Sequence, residues 1–179
     1  MKVHRIFAAI KDQLYAVSYD ENEKDALVKA IEDWGDVAYL TDFFELHLKD
    51  LQSGFYGPIT VERAVLKTID EAEDLFDELY RLAEDEHAIL NVLFKPLDDR
   101  EYRSYEFQKH KAYGLTTKSW LRLYAIRWDS AFVITGSAIK LTHSMQEREH
   151  TLLELRKLEM VRNFLKEGQD EGEFVYLDL

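Results

Sequence analysis

Ten Lys/Arg against six Asp/Glu stand between residues 87 and 148, while residues 1–86 carry nine against 21 and residues 149–179 carry four against eight. Side chains suited to a phosphodiester are concentrated in that middle stretch. Lys109, His110, Lys111 and Lys118 alternate with Tyr105, Phe107 and Tyr113. Phosphates call for cations and bases for flat faces, so this mixture suits single-stranded RNA; a solvated loop with scattered aromatics is the other reading. Arg122 and Arg127 follow, five residues apart in the apolar run from Trp120 to Trp128. On a strand they point to opposite faces. Arg122 falls with Trp120, Tyr124, Ile126 and Trp128, and Arg127 with Leu121, Leu123 and Ala125. Arg122 can stack on those aromatics or on a nucleobase, and the strand end can carry Arg127 clear of the core; the other reading is that each closes an ion pair with the acidic helices.

Lys140 and His143 flank Thr142. A cation beside an imidazole can stabilise charge and move a proton during RNA cleavage, with Tyr124 as a second candidate for the proton; His143 as a plain polar residue before a helix is the alternative. His150 lies seven positions beyond His143, too far along a helix axis at ~1.5 Å per residue for one metal ion, and no third ligand accompanies the pair. No metal site is expected, and no cofactor, since Gly-rich phosphate loops and nucleophile elbows are missing from the sequence. The carboxylates from Asp70 to Glu86 repeat as the polar face of a helix rather than as a calcium loop.

The elements that must hold these groups follow from periodicity. With 179 residues, 46% hydrophobic and 13% aromatic, the chain can build one substantial core despite a net charge of −12. Cysteine is missing, no run of ~18 uncharged residues could span a membrane, and no leader is evident, so a cytoplasmic location is expected. Val3–Ile10 and Leu14–Tyr19 read as a hairpin around Lys11-Asp12-Gln13. Asp20 and Glu23 stand at capping-box spacing before a helix over Asp25–Trp34, and a second helical pattern runs from Val37 to Ser53. Gly54–Pro58 is a loop, and Thr60 caps a long amphipathic helix over Val61–Ala83. Ile89–Phe94 reads as a strand stopped by Lys95-Pro96. Tyr102–Lys111 fits either an extended segment or a helical turn. Trp120–Trp128, Ala131–Thr135 and Ala138–Leu141 read as strands with turns at Asp129-Ser130 and Gly136-Ser137; the first carries apolar groups on both faces, as a central strand does. Ser144 and Glu147 form a capping box before a helix that ends ahead of Gly168, and Phe174–Leu179 alternates like a strand that could pair with the sheet or a partner. The expected fold is one α+β domain over 1–179: an acidic, mainly helical part (1–86) with the N-terminal hairpin, an antiparallel sheet and final helix (87–168), and an acidic, aromatic tail (169–179).

Leu123-Tyr124-Ala125-Ile126-Arg127, with Val133-Ile134 leading through Ile139-Lys140-Leu141-Thr142, resembles the RelE/HigB-like toxins of bacterial type II toxin–antitoxin systems. The likeness covers about a quarter of the chain, and Ala125 and Leu141 stand where those toxins carry an acidic residue and a second lysine. The chain also looks like a group of uncharacterised bacterial proteins with the same two motifs. The resemblance implies helices packed on a curved antiparallel sheet, mRNA cleavage by basic residues on that sheet, contact with RNA or the ribosome, and silencing by an antitoxin protein. It places Arg127 and Lys140 among the catalytic positions.

The expected function is therefore a toxin-system protein contacting RNA through Lys109, Lys111, Lys118 and Arg122, with Arg127, Lys140, His143 and Tyr124 as the catalytic set of a metal-independent endoribonuclease. The alternative is a non-catalytic interaction module whose acidic helices engage a basic partner.

Overall fold

A computed structural model describes residues 1–21, 23–85, 90–97 and 107–170, the side chains of 169 and 170 excepted. One six-stranded sheet organises it, in the order β1-β2-β6-β5-β4-β3. The strands are β1 (Arg5–Ile10), β2 (Leu14–Ser18), β3 (Lys95–Pro96), β4 (Lys109–Tyr113), β5 (Leu121–Trp128) and β6 (Ala131–Ile139). The expected hairpin is β1–β2, with Asp12 at φ 64° in its turn. It belongs to the same sheet as the C-terminal strands, because β2 runs parallel to β6 through Leu14–Phe132, Tyr15–Val133 and Ala16–Ile134. The other pairs are antiparallel.

Helices cover both faces. On one side lie α1 (Ala26–Gly35), α2 (Val37–Leu46), α3 (Leu48–Leu51) and α4 (Val61–Glu84), which bury Trp34, Phe44, Leu75 and Leu79 against Leu121, Leu123, Ala125 and Ile134. On the other lies α5 (Glu149–Asp170), which buries Leu158, Val161 and Leu165 against Tyr15, Tyr124, Ile126 and Val133. β5 alternates between the two cores, which makes it the doubly covered central strand that its sequence indicated.

Local signals explain most boundaries. The Asp25 carboxylate accepts from the Leu27 and Val28 amides and caps α1, displacing the expected box at Asp20 and Glu23. Asp36 caps α2 in the same way, and the Thr60 hydroxyl accepts from the Arg63 amide at the start of α4. Ser144 and Glu147 do form a capping box, around a single 3₁₀ turn, Met145–Glu147, and α5 begins only at Glu149. It then continues through Gly168.

Two further expectations are corrected. Leu90–Val92 is a 3₁₀ turn rather than a strand, and the pairing falls instead on Lys95-Pro96. Of the expected Tyr102–Lys111 segment, residues 102–106 lie outside the described residues while Lys109 opens β4, and all of Phe174–Leu179 lies outside them. Gly136-Ser137 is no turn: β6 runs unbroken from Ala131 to Ile139, with Thr135 as the extra residue of a bulge where the register passes from Tyr124–Gly136 to Ala125–Ile134. Gly136 serves close approach instead, since a Cβ there would collide with Oε2 of Glu154 on α5.

Candidate functional site: a cationic cleft on the α5 face

Period-2 geometry assembles the site. Lys111 pairs with Tyr124 and Tyr113 with Arg122 across β4 and β5, so these four side chains share the face that α5 covers. Past Ile139 the Lys140 amide bonds the Trp120 carbonyl at 2.8 Å, which continues the ladder and puts Lys140 beside Arg122 on that face. The turn from His143 to Met145 closes the opposite wall. The result is an open cleft of about 870 Å³ lined by Lys111, Tyr113, Arg122, Tyr124, Lys140 and His143, among others.

Three cations meet here. The Arg122 guanidinium stacks 4.1 Å above the Tyr113 ring and donates through Nη1 to the Ser119 and Leu121 carbonyls, at 2.9 and 2.6 Å. Burial lowers its pKa from the ordinary arginine value, against the opposing pull of Tyr113 and Tyr124. Lys140 donates to the Thr142 and His143 carbonyls at 2.9 and 2.6 Å, and among the described residues its third proton has no partner. Burial first, then the charges of Arg122 and Lys111, hold its pKa down, with Glu147 acting in the opposite sense. Lys111 donates to the Leu97 carbonyl at 3.2 Å and sits 5.7 Å over Tyr113. Among the described residues none of the three forms an ion pair, nor does Arg127, so the pairing expected as an alternative for the two arginines does not occur there.

The other expected residues fall elsewhere. Arg127 points to the opposite face at the far end of β5, where its Nε meets the Asp129 carbonyl at 3.2 Å. Lys109 shares the cleft's face but is bound to Glu159 of α5 at 2.5 Å. Lys118 lies beside the Gly54–Gly57 loop, with Nζ 3.3 Å from the Phe55 carbonyl and 5.3 Å over the Phe55 ring. His110 alternates away from Lys109 and Lys111 and is buried edge-on against Phe132, and desolvation pushes its imidazole down to about 4. It therefore adds no charge to the basic patch at neutral pH. Trp120 precedes β5 and belongs to the opposite core, where its Nε1 donates to the Thr68 hydroxyl at 2.9 Å.

Tyr124 and His143 differ in their exposure. Tyr124 is fully buried, its hydroxyl lies 3.5 Å from Met145 Sδ, and burial raises its pKa far above the ordinary phenol, so it keeps its proton at neutral pH. His143 is exposed at the lip of the cleft beside Lys140. His150 turns away from it, packing 4.8 Å from His47 with Nε2 3.1 Å from the Ile139 carbonyl. Among the described residues no group of three or more His, Asp or Glu is arranged to hold a metal ion, and no helix is long and apolar enough to cross a membrane.

Two contributions escaped the sequence reading. Glu71, on the carboxylate-rich α4, is buried rather than solvated, and accepts from Ser119 Oγ at 2.5 Å and from Lys67 and Thr116. It thereby fixes the loop that leads into Arg122. Phe55 and Tyr56 form part of a smaller cavity of about 290 Å³ that shares Arg122, Lys140 and His143 with the cleft. No family model, curated protein or solved structure matches the chain.

Proposed function

We propose that this chain contacts single-stranded RNA through the cleft of Lys111, Arg122 and Lys140, as an RNA-directed protein of the toxin–antitoxin kind that it resembles. The observation carrying this reading is the meeting of three cations, none ion-paired among the described residues, in a protein whose net charge is −12. Like charges so close repel, and a polyanion relieves that repulsion. Tyr113, stacked under Arg122, adds an aromatic face of the kind bases use. The two motifs behind the resemblance are the neighbouring strands β5 and β6, and Lys140 extends the second into the cleft.

If the bound strand is cut, His143 accepts the proton of an attacking 2′-hydroxyl, the new P–O2′ bond displaces the 5′-oxygen to leave a 2′,3′-cyclic phosphate, water protonates the departing 5′-oxygen, and Arg122 and Lys140 stabilise the charge that develops at the phosphate. Tyr124 contributes shape alone. Arg127 stands outside this chemistry, so the catalytic set reduces to Arg122, Lys140 and His143. An antitoxin would silence such a protein by covering the cleft, and a cytoplasmic location would suit that arrangement.

Induction of the wild-type chain in bacteria is expected to arrest growth, and an Arg122→Ala/Lys140→Ala double variant, shown soluble and folded, is expected to permit it. Arg127→Ala should arrest growth like the wild type. Arrest that survives the double substitution would reject the cleft as the active face. A second reading, a non-catalytic interaction module, is favoured by one feature: Asp70, Glu73, Asp74 and Asp77 all stand exposed on the outer side of α4. Salt-sensitive binding to a basic protein without RNA binding at low salt would select it.

A further inference from the structure

The smaller cavity has a different lining from the cleft that it adjoins. Phe55, Tyr56 and Leu141 give its lining aromatic and apolar surface, and Arg122 and Lys140 give it two cations. At about 290 Å³ it lies at the bottom of the range for small-molecule pockets, roughly 300–1,000 Å³, which suits one flat ring system.

Its aromatic walls are held in place. The Tyr56 hydroxyl donates to the Lys140 carbonyl at 2.9 Å, and its ring stands edge-on to buried Trp120 at 5.1 Å. Phe55 packs edge-to-face on Tyr56 at 4.8 Å yet remains 60% exposed. The loop presenting it turns at Gly54 and Gly57, whose φ values of 96° and 79° only glycine adopts readily. A single exposed Phe is ordinary on a protein surface. This one lines a cavity, with the Lys118 ammonium over its ring and Arg122 on the same lining.

Of the two acidic groups on the lining, one is neutralised by an ion pair and the other faces two cations. Arg148 grips Asp50 through Nε at 2.7 Å and through Nη2, and this holds the Asp50 carboxyl below the usual carboxylate range. Glu147 is engaged through Oε1 by the Ser144 amide at 2.5 Å. Negative charge on the ligand is thus directed to Arg122 and Lys140.

We propose that this cavity is a nucleotide subsite: one unstacked base lies against Phe55 and Tyr56 while its phosphate rests on Arg122 and Lys140. The inference rests on the cleft binding phosphate, as proposed above, and adds base recognition by a loop outside the family resemblance. The same unit could arrive within an RNA strand or as a free mononucleotide, and the experiment separates the two.

Adenosine 5′-monophosphate, ribose 5-phosphate and a labelled single-stranded RNA hexamer would be titrated into the full chain and into Phe55→Ala, an exposed position whose truncation leaves the core intact. The nucleotide is expected to bind the wild type about tenfold tighter than ribose 5-phosphate, the scale of one base–aromatic stack. Phe55→Ala should erase that difference and leave ribose 5-phosphate binding unchanged. The hexamer should weaken by a similar factor in Phe55→Ala with no change in its salt dependence. Equal binding of nucleotide and sugar phosphate by the wild type, or a Phe55→Ala chain that keeps the difference, would overturn the base subsite; salt-dependent hexamer binding would in that case leave the RNA reading standing. A base-dependent difference with no hexamer binding would support the subsite for a free mononucleotide and remove the RNA reading.

Discussion

Glu154 carries the sharpest residue-scale consequence. It is 4% exposed on α5 and accepts through Oε1 from Lys157 at 2.7 Å, while Oε2 is buried and, among the described residues, has no hydrogen-bond partner. Desolvation raises its carboxyl to about 7, against the pull of Lys157 and of Lys29 from α1; Tyr19, Tyr39 and Tyr124 face it from β2's end, α2 and β5. Because the folded pKa exceeds the ordinary 4.5, the native state holds the proton more tightly, and stability falls as pH rises between about 4.5 and 7. His110 works in the other direction: its folded pKa of about 4 lies below 6.5, so its contribution is present above 6.5 and lost as pH falls toward 4. The two slopes oppose each other across the same window. Glu154→Gln removes one of them, so its stability relative to wild type should grow between pH 5 and pH 8, by up to about 3 kcal/mol at 1.36 kcal/mol per unit, as denaturant unfolding at each pH would show. A pH-independent difference would contradict the assignment. Neither group's role was legible in sequence, because burial depends on what packs against the residue. Arg122, Lys140 and His143 were legible as candidates, and period-2 alternation already separated Arg127 from Arg122.

At the scale of elements, α4 acts as the clamp on the β4–β5 loop. Glu71 accepts hydrogen bonds from Lys67, Thr116 and Ser119, and the Thr68 hydroxyl accepts from the Trp120 indole. Removing a buried, multiply bonded carboxylate typically costs about 3 kcal/mol. Glu71→Ala is expected to lose that much in urea unfolding, and Ser119→Ala less. The pair should be less than additive, with a coupling of about 1 kcal/mol, since both act on one network. Strict additivity would show that the contact does not hold the loop. The helix itself was readable from Thr60 and the apolar stripe, as local signals suffice for a 24-residue amphipathic segment. Lys95-Pro96 was not, because a two-residue strand exists only through its pairing with Lys111 and His110. Ile89–Phe94 misled for the reason that any short apolar run does: periodicity cannot separate a buried strand from a buried turn. Phe55 and Tyr56 were read only as loop residues, and their place in a cavity depends on a contact spanning 84 positions of sequence.

For the whole molecule, segregation of charge is the governing property. The first 86 residues contribute the excess of carboxylates, and the sheet gathers cations from β4, β5 and the end of β6 into one cleft on the face away from acidic α4. A net charge of −12 disfavours diffuse adhesion to a polyanion, so any RNA affinity must be local and sensitive to salt. Composition made this charge pattern visible, whereas the pairing order that brings Lys111, Arg122 and Lys140 together required the fold. The direct test is the affinity of the full chain for a single-stranded RNA oligonucleotide across a salt series, beside a folded Arg122→Ala/Lys140→Ala variant. With three phosphate contacts, log K should fall against log salt with a slope of about −2, at roughly 0.7 per contact, and the variant's slope should drop to about −0.7 with most of the affinity lost. RNA binding that is unchanged by the double substitution, or no binding by the wild type at low salt, would contradict the account.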